Sequence, residues 1–142
     1  MSASNYKVGW IVETKVAALT HFHSEITHED IIGVFTEAQK LLMDAKGPFQ
    51  IIIDNRLAPL TKLFSLEELQ NSSPLLRHPL LNHIVIVKPN HLDLMINETV
   101  IEKWERTYLK NVSSIQEALN FLRLAIPELN KAKMDSHFFD NN

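Results

Sequence analysis

Ser114-Ile115-Gln116-Glu117-Ala118-Leu119 carries the grammar that decides the fold. A Ser-x-x-Glu box opens a helix, because the serine hydroxyl and the glutamate carboxylate satisfy backbone N–H groups that the first turn leaves bare. Ile115, Ala118, Leu119 and Leu122 then recur at helical spacing and mark one buried face. The same order, an apolar β-type run followed by a capped amphipathic helix, repeats upstream and implies a small α/β domain.

Working outward from that helix, residues 106–110 read as a short fifth strand. Asn90 caps an expected third helix with Leu92, Ile96, Val100 and Trp104 on one stripe. Residues 82–88, centred on Ile84-Val85-Ile86-Val87, read as a fourth strand. Ser65-Leu66-Glu67-Glu68 is another capping box and opens a short second helix. Leu75, Leu76, Leu80 and Leu81 are expected to pack under the sheet. Phe49 to Asp54 contains Ile51-Ile52-Ile53, a β-branched run that suits a central strand buried on both faces.

Nearer the N-terminus, Thr27 caps a first helix with Ile31, Val34, Phe35, Ala38, Leu41, Leu42 and Ala45 on its buried face, and Gly47 is expected to supply a left-handed stop before Pro48. Residues 6–13 alternate Tyr6, Val8, Trp10, Val12 against Lys7, Gly9, Ile11, Glu13. Residues 16–23 alternate Val16, Ala18, Thr20, Phe22 against Ala17, Leu19, His21, His23. The short break between them predicts an antiparallel hairpin. The expected architecture is α/β: a mixed, mostly parallel five-stranded sheet with four helices in the order β-β-α-β-α-β-α-β-α.

A chain of 142 residues is one domain by its length, with 45% hydrophobic and 22% charged residues, ordinary values for a globular protein. The net charge of −3 gives no general attraction to nucleic acid or anionic lipid. With no cysteine, disulfides, thiolate metal sites and thiol catalysis are excluded. The three glycines are scattered, so neither a phosphate loop nor a dinucleotide fingerprint can be assembled. The polar start Met1-Ser2-Ala3-Ser4-Asn5 and the lack of a membrane-length apolar run lead to the expectation of a cytoplasmic protein.

The order and lengths of these elements resemble the STAS domain and its SpoIIAA-like relatives, which include anti-sigma-factor antagonists. The resemblance covers residues 6–126. Residues 108–122, from Tyr108 through Ser114 to Leu122, resemble the family's closing strand, capped turn and last helix, and Phe49 to Asp54 resembles its central strand ending in Asp. The resemblance implies a non-enzymatic regulatory or interaction module that binds a protein partner. Phospho-switched members place a Ser or Thr directly after the Asp-ending strand. Here Asn55-Arg56-Leu57-Ala58 follows Asp54, and Thr61 and Ser65 come later, so the usual switch is expected to be missing. The alternative expectation is a small-molecule or lipid-binding protein of the same fold, with a small apolar ligand between sheet and helices.

Asp54, Asn55 and Arg56 are the candidate ligand- or partner-binding residues. They lie where open α/β sheets bind ligands, beyond the carboxyl end of a central strand, and Arg56 suits an anion or a partner carboxylate. The competing explanation is that Asp54 and Asn55 satisfy loop backbone groups. His21 and His23 share a strand face, with His28 nearby, but they lack a secure third ligand, so no metal, cofactor or hydrolytic site is assigned. His78, His83 and His91 are expected in solvated or cap-adjacent positions at element ends. Glu29-Asp30 and Glu67-Glu68 are first-turn helix acids rather than acid–base pairs. Trp10 and Trp104 are expected as core or interface anchors. Residues 131–142, which include Phe138-Phe139, are expected to be a loose tail or a dimer arm, and the hairpin or the tail a homodimer surface; the alternative is that Phe138-Phe139 folds back onto its own domain or is disordered.

Overall fold

In the computed structural model, the described residues are 6–21, 28–43, 45, 47–54, 80–87, 101–104, 107–131, 134 and 136–139. They form β1 (Tyr6–Val12), β2 (Val16–His21), α1 (His28–Leu42), β3 (Phe49–Asp54), β4 (Leu81–Val87), β5 (Ile101–Trp104), β6 (Thr107–Val112) and α2 (Ile115–Ala125). Two 3-10 segments follow, Pro127–Lys131 and Ser136–Phe139.

The strands make one mixed sheet in the order β1-β2-β3-β4-β6-β5. β1 and β2 are the expected antiparallel hairpin. β2, β3, β4 and β6 run parallel to one another, which requires a crossover between each successive pair. β1 and β5 are therefore the two edge strands.

The alternation read from the sequence sets the two faces. Ala17, Leu19, Ile51, Ile53, Ile84 and Ile86 pack with Val34, Phe35, Ala38 and Leu42 of α1. Val16, Ala18, Ile52, Val85, Val87 and Val112 pack with Ala118, Leu119 and Leu122 of α2. β3 is buried along its whole length. Each of its isoleucines, taken fully out of water, contributes roughly 1.5–3 kcal/mol, so this strand is the natural centre of the sheet. Trp10 packs edge-to-face on Phe49, with ring centroids 6.3 Å apart, as a core anchor.

α2 forms as the capping box implies. Ser114 Oγ accepts the Glu117 N–H at 3.0 Å. The glutamate closes the box one residue earlier than the usual pattern, its Oε2 accepting the Ser113 N–H at 3.0 Å.

Several expectations need correction. Four helices were expected, and two α-helices occur among the described residues. The expected third helix does not reach Trp104, because Ile101–Trp104 is an edge strand paired antiparallel with β6, Trp104 opposite Thr107. Edge pairing satisfies the backbone there, and it adds a sixth strand to the five expected. The short helix at Ser65 and residues Leu75 and Leu76 lie outside the described residues, as do Asn90 and Thr27. The first helix ends at Leu42 rather than Gly47. Tight turns close it, Met43 N–H donating to Lys40 O and Ala45 N–H to Leu42 O. Among the described residues no glycine has positive φ, so Gly47 is not a left-handed stop.

The C-terminal segment is not a loose arm where it is described. Met134, Phe138 and Phe139 are buried in the α2-side core, and the two phenylalanines are each 5% exposed. Phe138 meets Phe139 edge-to-face at 5.3 Å, and the Lys7 ammonium lies 4.4 Å from the Phe138 centroid. Burial of this aromatic pair by the chain's own sheet removes it as the anchor of a dimer.

Candidate functional site

The carboxyl edge of the sheet is built from strand ends. Cross-strand register places Lys7, Thr20, Asp54 and Val87 in one row across β1, β2, β3 and β4. Thr20 is 1% exposed and Asp54 4% exposed. A buried carboxyl group is costly unless it is hydrogen-bonded, and the neighbouring strand supplies a partner: Thr20 Oγ1 donates to Asp54 Oδ2 at 2.8 Å. The period of two that puts Thr20 on the face of Val16 and Ala18 also puts Asp54 on the face of Gln50 and Ile52. Parallel pairing then brings the two side chains together.

Of the three candidate residues, Asp54 is thus an interior anchor at the end of β3. Asn55 and Arg56 lie outside the described residues. The bond to Thr20 is a partner that loop-satisfaction arguments did not foresee. Its signal was present in the sequence: Thr20 and Asp54 are each a polar residue at or near the carboxyl end of a strand.

A second polar group sits toward the opposite end of the same sheet face. His83, expected in a solvated or cap-adjacent role, lies near the start of β4 and is partly buried. Its ring is stacked on Tyr108, with centroids 5.5 Å apart, and meets Phe121 of α2 edge-to-face at 5.8 Å. His83 Nδ1 lies 2.9 Å from Gln50 Oε1. Burial lowers the His83 pKa from its ordinary value, because the charged imidazolium loses hydration there. The neutral ring is consequently the favoured form. Lys110 also reaches this group, its ammonium 5.9 Å from the Phe121 centroid.

Among the described residues no three His, Cys, Asp or Glu side chains gather as a metal site. The backbone of His21 closes β2, and His23 lies outside the described residues. Glu29 and Asp30 occupy the first turn of α1, where acids favour the helix dipole. Among the described residues no helix is long and apolar enough to cross a membrane. The chain matches no family model, no curated protein and no solved structure.

Proposed function

We propose that this chain is a non-enzymatic regulatory or interaction module of the STAS/SpoIIAA-like type. It binds a protein partner at the carboxyl edge of its sheet and works without the usual Ser/Thr phosphorylation switch. The observation that carries this reading is the Thr20–Asp54 bond, which ties the end of the central strand to its neighbour. A strand end held in this way gives the segment that follows it a fixed point of departure. That segment begins Asn55-Arg56, an amide and a cation suited to a carboxylate on the partner.

The sheet order adds support. An antiparallel hairpin leads into parallel strands, and a capped helix follows the last of them, the arrangement that the resemblance implies. Residues 54–58 contain no Ser, Thr or Tyr, so no phosphoacceptor is available there.

A photo-crosslinking residue placed at position 57 in living cells tests the proposal. The expected result is one discrete crosslinked protein that is lost on Arg56→Glu. Crosslinking unchanged by that charge reversal would defeat it.

A further inference from the structure

At the amino end of the parallel strands, away from Asp54, a pocket of about 300 Å³ opens among Thr14, Lys15, Gln50, Asn82, Ile126 and Glu128. That volume lies at the lower limit of small-molecule sites, roughly 300–1,000 Å³, and restricts an occupant to a small metabolite. Gln50 is 3% exposed. One end of its side-chain amide meets His83 Nδ1 at 2.9 Å. The other end has no protein hydrogen-bond partner among the described residues, and Gln50 is one of the residues that line the pocket. This holds whichever way the amide is turned. A buried amide group left without a partner is costly, and the pocket is where a partner would enter.

The rim carries both charges. Lys15 Nζ and Glu128 Oε1 are 3.3 Å apart, with side chains 45% and 66% exposed. An exposed pair of this kind contributes little to stability and opens readily. An anionic ligand would be repelled by Glu128 and a cationic one by Lys15. A zwitterion satisfies both, its carboxylate on Lys15 and its ammonium on Glu128.

The turn that presents Lys15 is itself strained. Thr14 has φ 60 at the third position of a turn closed by Lys15 N–H on Val12 O. That conformation normally calls for Gly or Asn, and a β-branched residue there is an outlier. Such strain concentrates at binding sites. The same turn is tied to the pocket floor, since Gln50 N–H donates to Lys15 O at 2.8 Å.

We propose that this pocket binds a free amino acid with a carboxamide side chain. The zwitterionic head engages Lys15 and Glu128, and the carboxamide pairs with the buried amide of Gln50. A carboxamide is the match because it donates and accepts, and so complements either end of the glutamine. The site is at the opposite end of the sheet from Asp54, so its failure would leave the carboxyl-edge proposal untouched.

The test is a titration of the isotopically labelled full chain with L-glutamine, followed by NMR. N-acetyl-L-glutamine, which lacks the ammonium, and L-glutaminamide, which lacks the carboxylate, serve as controls. L-Glutamine is expected to give saturable shifts of the Gln50 side-chain amide and of the Lys15, Asn82 and Glu128 backbone signals. Each blocked analogue should bind about tenfold more weakly or worse, as for loss of one charge-assisted hydrogen bond. Lys15→Met and Glu128→Gln, both at exposed positions, should weaken binding by a similar factor while the fold is retained. Gln50→Met should abolish the preference for L-glutamine over L-alanine. No shift of the Gln50 amide at about 10 mM ligand, a concentration that detects even weak sites, would overturn the proposal. So would equal responses to L-glutamine and to its blocked analogues.

Discussion

Gly9 of β1 and Phe138 of the C-terminal 3-10 segment occupy one space: a Cβ added to Gly9 would stand 2.9 Å from Phe138 Cε2. The absence of a side chain on an edge strand is therefore what admits the aromatic ring. Ile11 and Val16 lie in the same buried cluster as that ring. The end of the chain thus completes one face of the sheet.

Substitution at this contact follows directly. Gly9→Val forces a rigid ring to move and is expected to cost about 1–3 kcal/mol, the usual range for overpacking. Phe138→Ala empties the same site and should cost roughly 3–5 kcal/mol. Urea unfolding measures both. Limited proteolysis should show earlier cleavage after residue 131 in each variant.

At the carboxyl edge, Thr20→Val keeps the side-chain shape and removes a donor from buried Asp54. The expected loss is about 1–3 kcal/mol, the cost of taking a partner from a buried polar group. Thr20→Ser restores the hydroxyl and should recover most of it. Denaturation midpoints of the three proteins decide the matter.

His83 gives stability a pH dependence whose sign is fixed. Its pKa in the folded protein is lowered by burial, so the unfolded chain binds the proton more readily. The contribution is complete above the ordinary value of 6.5 and is lost as pH falls from there through the lower folded value. Urea midpoints should therefore drop from pH 7.5 towards mild acid, and this component should vanish in His83→Phe. The His83 ring protons should titrate by NMR with a midpoint below 6.5.

Relief of the turn strain should be measurable as well. Thr14→Gly removes the left-handed penalty of about 1–2 kcal/mol and returns part of it as extra entropy of the unfolded chain, up to about 1 kcal/mol. A net gain of between zero and about 2 kcal/mol in unfolding free energy is expected.

The fold was legible where local signals agreed with tertiary structure. The Ser114 box, the paired faces of Val16-Ala17-Ala18-Leu19 and the run Ile51-Ile52-Ile53 each carried a pattern that packing then used. Ile101–Trp104 was misread because Val100 and Trp104 fit a helical stripe, whereas the edge of a sheet offered its backbone a ladder partner in β6. For Phe138 and Phe139 the sequence left a dimer arm and folding back onto the domain both open, for a different reason. Nothing adjacent in sequence buries them, and their partners Gly9 and Lys7 lie at the other end of the chain. At the candidate site, Asp54 was singled out by its place at a strand end. Its bond to Thr20 required knowledge that β2 and β3 are neighbours. The pairing of His83 with Gln50 was not legible, because the two lie 33 residues apart and only the parallel register puts them in contact.

The carboxyl-edge binding proposal is tested most directly by a hydrogen–deuterium exchange footprint of the chain with and without its crosslink-identified partner. Protection is predicted at residues 54–58, with the amino-edge turn at 13–15 and α2 unchanged. Protection confined to the amino edge, or none at 54–58, would contradict the account.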